Sequence, residues 1–168
     1  LNGTAGKDFS REIEAILKNR PPKEDAIGCK IRKIIVKAIK EADNSKTQDK
    51  ALEHLRYMTT SAGNASKIVS LGGLTMVSKA MADHPTKTIV QAEASALLAE
   101  LSWVDPSCVP AIATAGCLLQ VLDSMQRHGS HKKVQQMGTG FFRAMSYDFA
   151  NHEHINAVDG VRAIVDAM

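Results

Sequence analysis

The sequence predicts an all-α fold built as a helical solenoid, and three observations carry that expectation. Apolar residues recur at helical spacing along the whole 168-residue chain. Strand-type alternation is hard to find, and aromatic residues, the class that favours sheets, make up 4%. The apolar positions also repeat as a set. Ile68, Leu74, Val77 and Met81 reappear 44 residues later as Ile112, Leu118, Val121 and Met125, and 43 further on as Ile155, Val161, Ile164 and Met168. A period of ~40–47 residues belongs to stacked helical units, each burying its apolar face on the next.

Taken in order, the first element is a short helix whose face carries Phe9, Ile13, Ile16 and Leu17, ended by Pro21–Pro22 because proline cannot continue it. Ile27, Ile31, Ile34, Ile35, Ala38 and Ile39 mark a second helix, and Ala51, Leu55 and Met58 a third. The next unit shows the fullest layout. A helix over 64–69 has Asn64 as its expected N-cap. Gly72–Gly73 then turns the chain, since glycine accepts the positive φ of a tight helix–helix corner. A helix over 74–82, a break at His84–Pro85 and a longer helix over about 87–103 complete the unit. Val90, Ala94, Leu97, Leu98 and Leu101 of that long helix return 44 residues later as Val134, Gly138, Phe141, Phe142 and Met145. Small residues at 94 and 138 suggest that backbones come closest there. Cys117 falls on the corresponding turn of the next unit, and Cys29 on that of the first.

Composition bounds the function. With 44% hydrophobic and 23% charged residues the chain reads as an ordinary folded soluble domain. A net charge of +3 and a pI near 8.8 are too weak to announce a nucleic-acid binder. Cys29, Cys108 and Cys117 are odd in number and form no CxxC pair, which points to a reducing compartment and small packing residues. No apolar run approaches the ~18 residues of a membrane span, and no secretory leader opens the chain. An intracellular domain cut from a longer protein is expected. No GxSxG elbow presents a serine, and no phosphate-binding GxGxxG or GxxxxGK[ST] is present. His128 and His131, and His152 and His154 around Glu153, supply too few ligands for zinc and read as exposed loop histidines. No cofactor or metal is expected.

The stretches NASKIVSLGGLTMVSKAM with IVQAEASALLAELS, and CVPAIATAGCLLQVLDSM with VQQMGTGFFRAMS, resemble the armadillo repeat family; NHEHINAVDGVRAIVDAM resembles the start of another unit. The likeness covers residues 27 to 168 approximately. HEAT repeats, usually of two helices without a glycine corner, are the near alternative. The resemblance implies a right-handed α-solenoid of about three and a half three-helix repeats with an N-terminal capping helix. It divides the chain into a cap and linker over 1–22, repeats over 23–62, 63–105 and 106–149, and a truncated repeat over 150–168. A solenoid end needs a polar cap, so either the native chain continues past Met168 or the face around Val158, Val161 and Ile164 packs on another molecule, self-association included.

In armadillo proteins the third helices line a concave groove where an asparagine commonly holds an extended peptide, and nuclear-import adaptors add a tryptophan four residues earlier. Carried over, the asparagine position holds Tyr57, Glu100 and Ala144, and the tryptophan position Glu53, Ala96 and Gly140. Every ladder position departs from the pattern, which disfavours recognition of a basic import signal, although Glu53, Glu93 and Glu100 are placed to attract basic side chains. Three residues past the ladder lie Thr60, Trp103 and Tyr147. Trp103, Tyr147 and Tyr57 form the expected contact patch. Separately, Lys30, Lys33, Lys37 and Lys40 fall at i, i+3, i+7 and i+10, one stripe that suits an acidic partner. Residues 1–60 hold 13 Lys and Arg against 9 Asp and Glu, and the remainder 8 against 9. No aromatic platform interleaves with these lysines, which counts against nucleic acid. The expected function is therefore a non-enzymatic protein-interaction module, cytoplasmic or nuclear. The alternatives are a nuclear transport adaptor and a regulatory segment of a larger enzyme or motor.

Overall fold

A computed structural model describes residues 10–18, 24–147, 152–157 and 162. Among them the chain is helical, with no strand. The helices are α1 (Ser10–Lys18), α2 (Ala26–Lys40), α3 (Ser45–Met58), α4 (Ala62–Ser70), α5 (Gly73–Asp83) and α6 (Thr88–Val104). A 3-10 turn (Pro106–Cys108) follows, then α7 (Val109–Thr114), α8 (Cys117–Arg127), α9 (Lys132–Met145) and α10 (His152–Ala157). Phe9, Pro21–Pro22, Val158, Val161, Ile164 and Met168, on which the first helix's end and the truncated last repeat were argued, lie outside the described residues.

Local chemistry sets the helix starts. Asp25 caps α2 by accepting the Gly28 N–H at 2.8 Å, and Asn44 caps α3 from Lys46 and Thr47. The expected cap at Asn64 is displaced: α4 begins a turn earlier, with Ser61 accepting from Asn64 N. The Asn64 side chain instead donates back to Met58 O at 3.0 Å. Gly72 and Gly116 precede α5 and α8 with φ of 90° and 75°, as the glycine corner requires. Cys29 corrects the parallel drawn for the first unit. It lies inside α2, which runs uninterrupted for 15 residues, because no glycine in that position releases the helix.

The buried apolar side chains of the described residues form one cluster shared by the packed helices. α6 packs along both α3 and α9, while α5 packs on α2 and α8. Two rows of successive helices result, α2–α5–α8 and α3–α6–α9, with fully buried Ile31, Leu55, Leu98, Leu101, Phe141 and Phe142 among the side chains of one continuous core. The close backbone approach expected at 94 and 138 is not what surrounds Gly138: Ala94 is buried, and a Cβ on Gly138 would meet the Met125 side chain of α8 rather than another backbone. α1 closes on the first helices through Ile16, which covers Gly72 and whose carbonyl accepts from Arg32 at 2.7 Å.

Polar bonds repeat with the apolar comb. Gln48, Gln91 and Gln135 each donate to the carbonyls ten and seven residues earlier, at the ends of α2, α5 and α8. His84 bonds Ala42 O at 2.7 Å and His128 bonds Pro85 O at 2.8 Å, each reaching into the preceding unit. His128 is thus a half-buried tie rather than an exposed loop residue.

Candidate functional site

The α3–α6–α9 row presents the residues singled out from the sequence. Glu93 of α6 is 8% exposed and joins all three helices: Oε2 accepts from Arg56 Nε of α3 at 3.1 Å, and Oε1 from Lys133 Nζ of α9 at 2.7 Å. Two turns further on, Glu100 accepts from Arg56 Nη1 at 3.2 Å. Burial alone would raise the Glu93 pKa, but the Lys133 hydrogen bond and the charges of Lys133 and Arg56 outweigh it and hold the carboxylate below its ordinary range. Arg56 shows the mirror image: burial works against its charge, and Glu100 and Glu93 overcome it and raise its pKa. Nearby Asp49 is pushed upward, first by burial and then by the charges of Glu93 and Glu53. Basic side chains from outside would have to displace Arg56 or Lys133 to reach Glu93, whereas Glu100, paired through Oε1 alone, remains part exposed. Arg56 and Lys133 themselves escaped sequence reasoning. Their signal was available, since Lys133 stands three residues after a repeat break and Arg56 opposite Glu100 at a spacing of 44.

The ladder positions divide by exposure. Ala96 and Ala144 are buried and Glu53 is half-buried. Gly140 is half-buried with open space where a Cβ would stand. Tyr57 is 64% exposed, with the Arg56 guanidinium 5.0 Å from its ring centre. The aromatic pair is the most open feature. Trp103, in the last turn of α6, is 58% exposed, and Tyr147, just after α9, is 81% exposed. Their rings meet edge to face at 5.2 Å. Leu101, Phe142 and Met145 are fully buried beside them, and Ser102, whose hydroxyl donates to Leu98 O at 2.8 Å, lies 3.5 Å from Met145 Sδ. Trp103 therefore links the C-terminal ends of α6 and α9 from outside the core.

The basic stripe is as expected from its spacing: Lys30, Lys33, Lys37 and Lys40 are all exposed on α2, and none has an ion-pair partner among the described residues. Elsewhere polar groups serve structure. Asp105 accepts from Ser107 Oγ and Ser66 Oγ, both at 2.6 Å, and these bonds hold its pKa down. The adjacent Cys108 thiol is pushed up to about 11 by burial and by the Asp105 charge, which makes it inert at neutral pH. Among the described residues no group of three or more His, Cys, Asp or Glu side chains is placed to hold a metal ion. No single helix among them is long and apolar enough to cross a membrane. Comparison with protein families, with curated proteins and with solved structures returned no match to the chain.

Proposed function

We propose that the chain is a non-enzymatic interaction module of the armadillo type, a right-handed α-solenoid that docks a partner protein or extended peptide on its α3–α6–α9 face. The succession of contacts α2–α5–α8 and α3–α6–α9, the left-handed glycines before α5 and α8, and the recurring glutamine and histidine bonds support the solenoid reading. The observation that carries the docking surface is the Trp103–Tyr147 pair. Two large aromatic rings hold each other in place while most of their area faces solvent. Such rings bury large area at small conformational cost and keep a polar edge, which is why they dominate hot spots. Tyr57, pinned by Arg56, extends the surface towards α3. The reading places the module in the cytoplasm or nucleus and requires no cofactor.

The test uses the wild-type chain and a Trp103→Ala/Tyr147→Ala variant as paired baits, with captured proteins identified by mass spectrometry. A partner retained by the first and lost by the second, with helicity and melting unchanged, is the expected result. Identical capture by both baits refutes the aromatic surface, and collapse of the variant's fold returns Trp103 to a core role.

A further inference from the structure

A groove of about 480 Å³ runs between α1 and α2, away from the aromatic pair in sequence and built from different helices. Its apolar wall is Leu17 and Val36, and its charged wall is Arg32, Lys33, Lys37 and Lys40. Glu24 and Glu41 also line it: Cys29 Sγ lies 3.5 Å from Glu24 Oε2, and Thr47 Oγ1 donates to Glu41 Oε2 at 2.7 Å. Four cations thus face the groove against two carboxylates, of which Glu24 keeps a buried Oε1 with no hydrogen-bond partner. Arg32 is fixed by its bond to Ile16 O, and the lysines have no counter-ion among the described residues. Some cations elsewhere are paired, as Lys67 is with Asp25, Lys79 with Asp83 and Arg127 with Asp123, whereas Lys46, Lys50, Lys87 and Lys132, like the groove lysines, have no ion pair among the described residues. What sets the groove apart is that four cations share one concave lining.

We infer that this groove binds an acidic peptide segment of a partner protein, its carboxylates on Lys33, Lys37 and Lys40 and an apolar side chain against Leu17 and Val36. The lysine stripe extends from Lys30 to Lys40, about 15 Å at the helical rise. Ammonium groups one turn apart along a line match carboxylates strung along a peptide, extended or helical. A lone phosphate wants donors that converge on one point, and these do not. A bilayer is flat, whereas the apolar residues here line a concave groove. A nucleic-acid duplex is a rod about 20 Å across and does not enter a groove of this size, and single strands want stacking rings that the groove lacks. The inference stands apart from the α3–α6–α9 reading and survives its failure.

The probe is a fluorescein-labelled peptide of about twelve residues, with glutamates at every third or fourth position and leucines between, followed by anisotropy in about 50 mM salt. Saturable binding that weakens with added salt is expected. Lys33→Glu/Lys37→Glu should lower affinity about tenfold or more, while Lys33→Arg/Lys37→Arg and the charge-matched Lys46→Glu/Lys50→Glu on α3 should change it less than about twofold. Carbodiimide coupling of the peptide to the unmutated chain should map to Lys33, Lys37 or Lys40, a readout that does not depend on any variant folding. The inference is overturned by absence of saturable binding, by equal losses in the two glutamate variants, by coupling elsewhere, or by tighter stripe-dependent binding of phosphatidylserine vesicles or an oligonucleotide.

Discussion

Replacing Gln91 by methionine should destabilise the chain by about 2–3 kcal/mol, although neither residue is charged and both are unbranched and of similar length. The reason lies at the end of α5. The last carbonyls of a helix have no partner within it. His84 N takes Ala80 O at 3.1 Å, but Met81 O would need the N–H of residue 85, which is Pro85 and has none. Gln91 Nε2 supplies the missing donor at 2.9 Å and also reaches His84 O at 3.0 Å, with the side chain 2% exposed. His84 O keeps a second bond from Lys87 N, so one carbonyl is orphaned outright and another only depleted. An unsatisfied buried acceptor costs about 1–3 kcal/mol and a weakened bond about 0.5–1 kcal/mol. The repeat supplies its own controls. Gln48 makes one buried and one half-buried bond, and Gln135 makes two half-buried ones, so water can replace more of what each donates. The expected order of loss in urea-induced unfolding followed by circular dichroism is Gln91→Met, then Gln48→Met, then Gln135→Met. A loss below about 0.5 kcal/mol for Gln91→Met, or the reverse order, refutes the carbonyl-capping account.

Glu93 has a folded pKa below the ordinary 4.5, so between those two values the unfolded state holds the extra proton. Its contribution is complete above the ordinary value and disappears as pH falls through the folded one; Glu93→Gln should flatten that part of the stability–pH curve and cost about 1 kcal/mol at neutral pH, since Lys133 is half exposed. Gly116→Ala should cost about 1 kcal/mol for its φ of 75°, and Gly72→Ala more, because its Cβ would also meet Ile16; thermal melting of the two variants checks the difference. Gly140→Ala lies mid-helix with nothing near the new methyl and should stabilise by about 0.5–1 kcal/mol in the same assay. In a thiol-labelling time course at neutral pH, Cys29, which is half-buried, should react first, with Cys108 and Cys117 following only in denaturant.

The all-helical character was readable because burial imposes a period on apolar residues, and the positions that recur at 43–44 are the ones that fill the core: Ile68 with Ile112, Leu98 with Phe142, Leu101 with Met145. Helix ends were harder. The stretch SAGN offers two capping residues three apart, and only the backbone shows that Ser61 takes the cap while Asn64 reaches back to Met58. Alignment by period placed Cys29 at a corner, yet a corner needs a positive φ that cysteine resists and Gly72 and Gly116 accept, so α2 continues straight through. Gln48, Gln91 and Gln135 obey the same spacing as the apolar comb and went unread because polar side chains are presumed to face water. Two polar atoms meeting a helix end invert that presumption.

At the candidate surface the sequence exposed what the armadillo pattern lacks, and the structure shows where the charges went. An asparagine ladder would leave donors and acceptors open to a peptide backbone. Here Glu93 and Glu100 are engaged by Arg56 and Lys133. That face leaves aromatic rings open at Trp103, Tyr147 and Tyr57, while α2 leaves open Lys30, Lys33, Lys37 and Lys40. Separation of the two has a measurable consequence. Association through aromatic burial depends weakly on ionic strength, whereas association through free lysines falls as salt screens them over about 10 Å at 0.1 M. A partner lost in Trp103→Ala/Tyr147→Ala should therefore survive a salt wash that strips one lost in Lys33→Glu/Lys37→Glu. If both losses shared one salt dependence, the aromatic pair and the lysine stripe would be parts of a single interface.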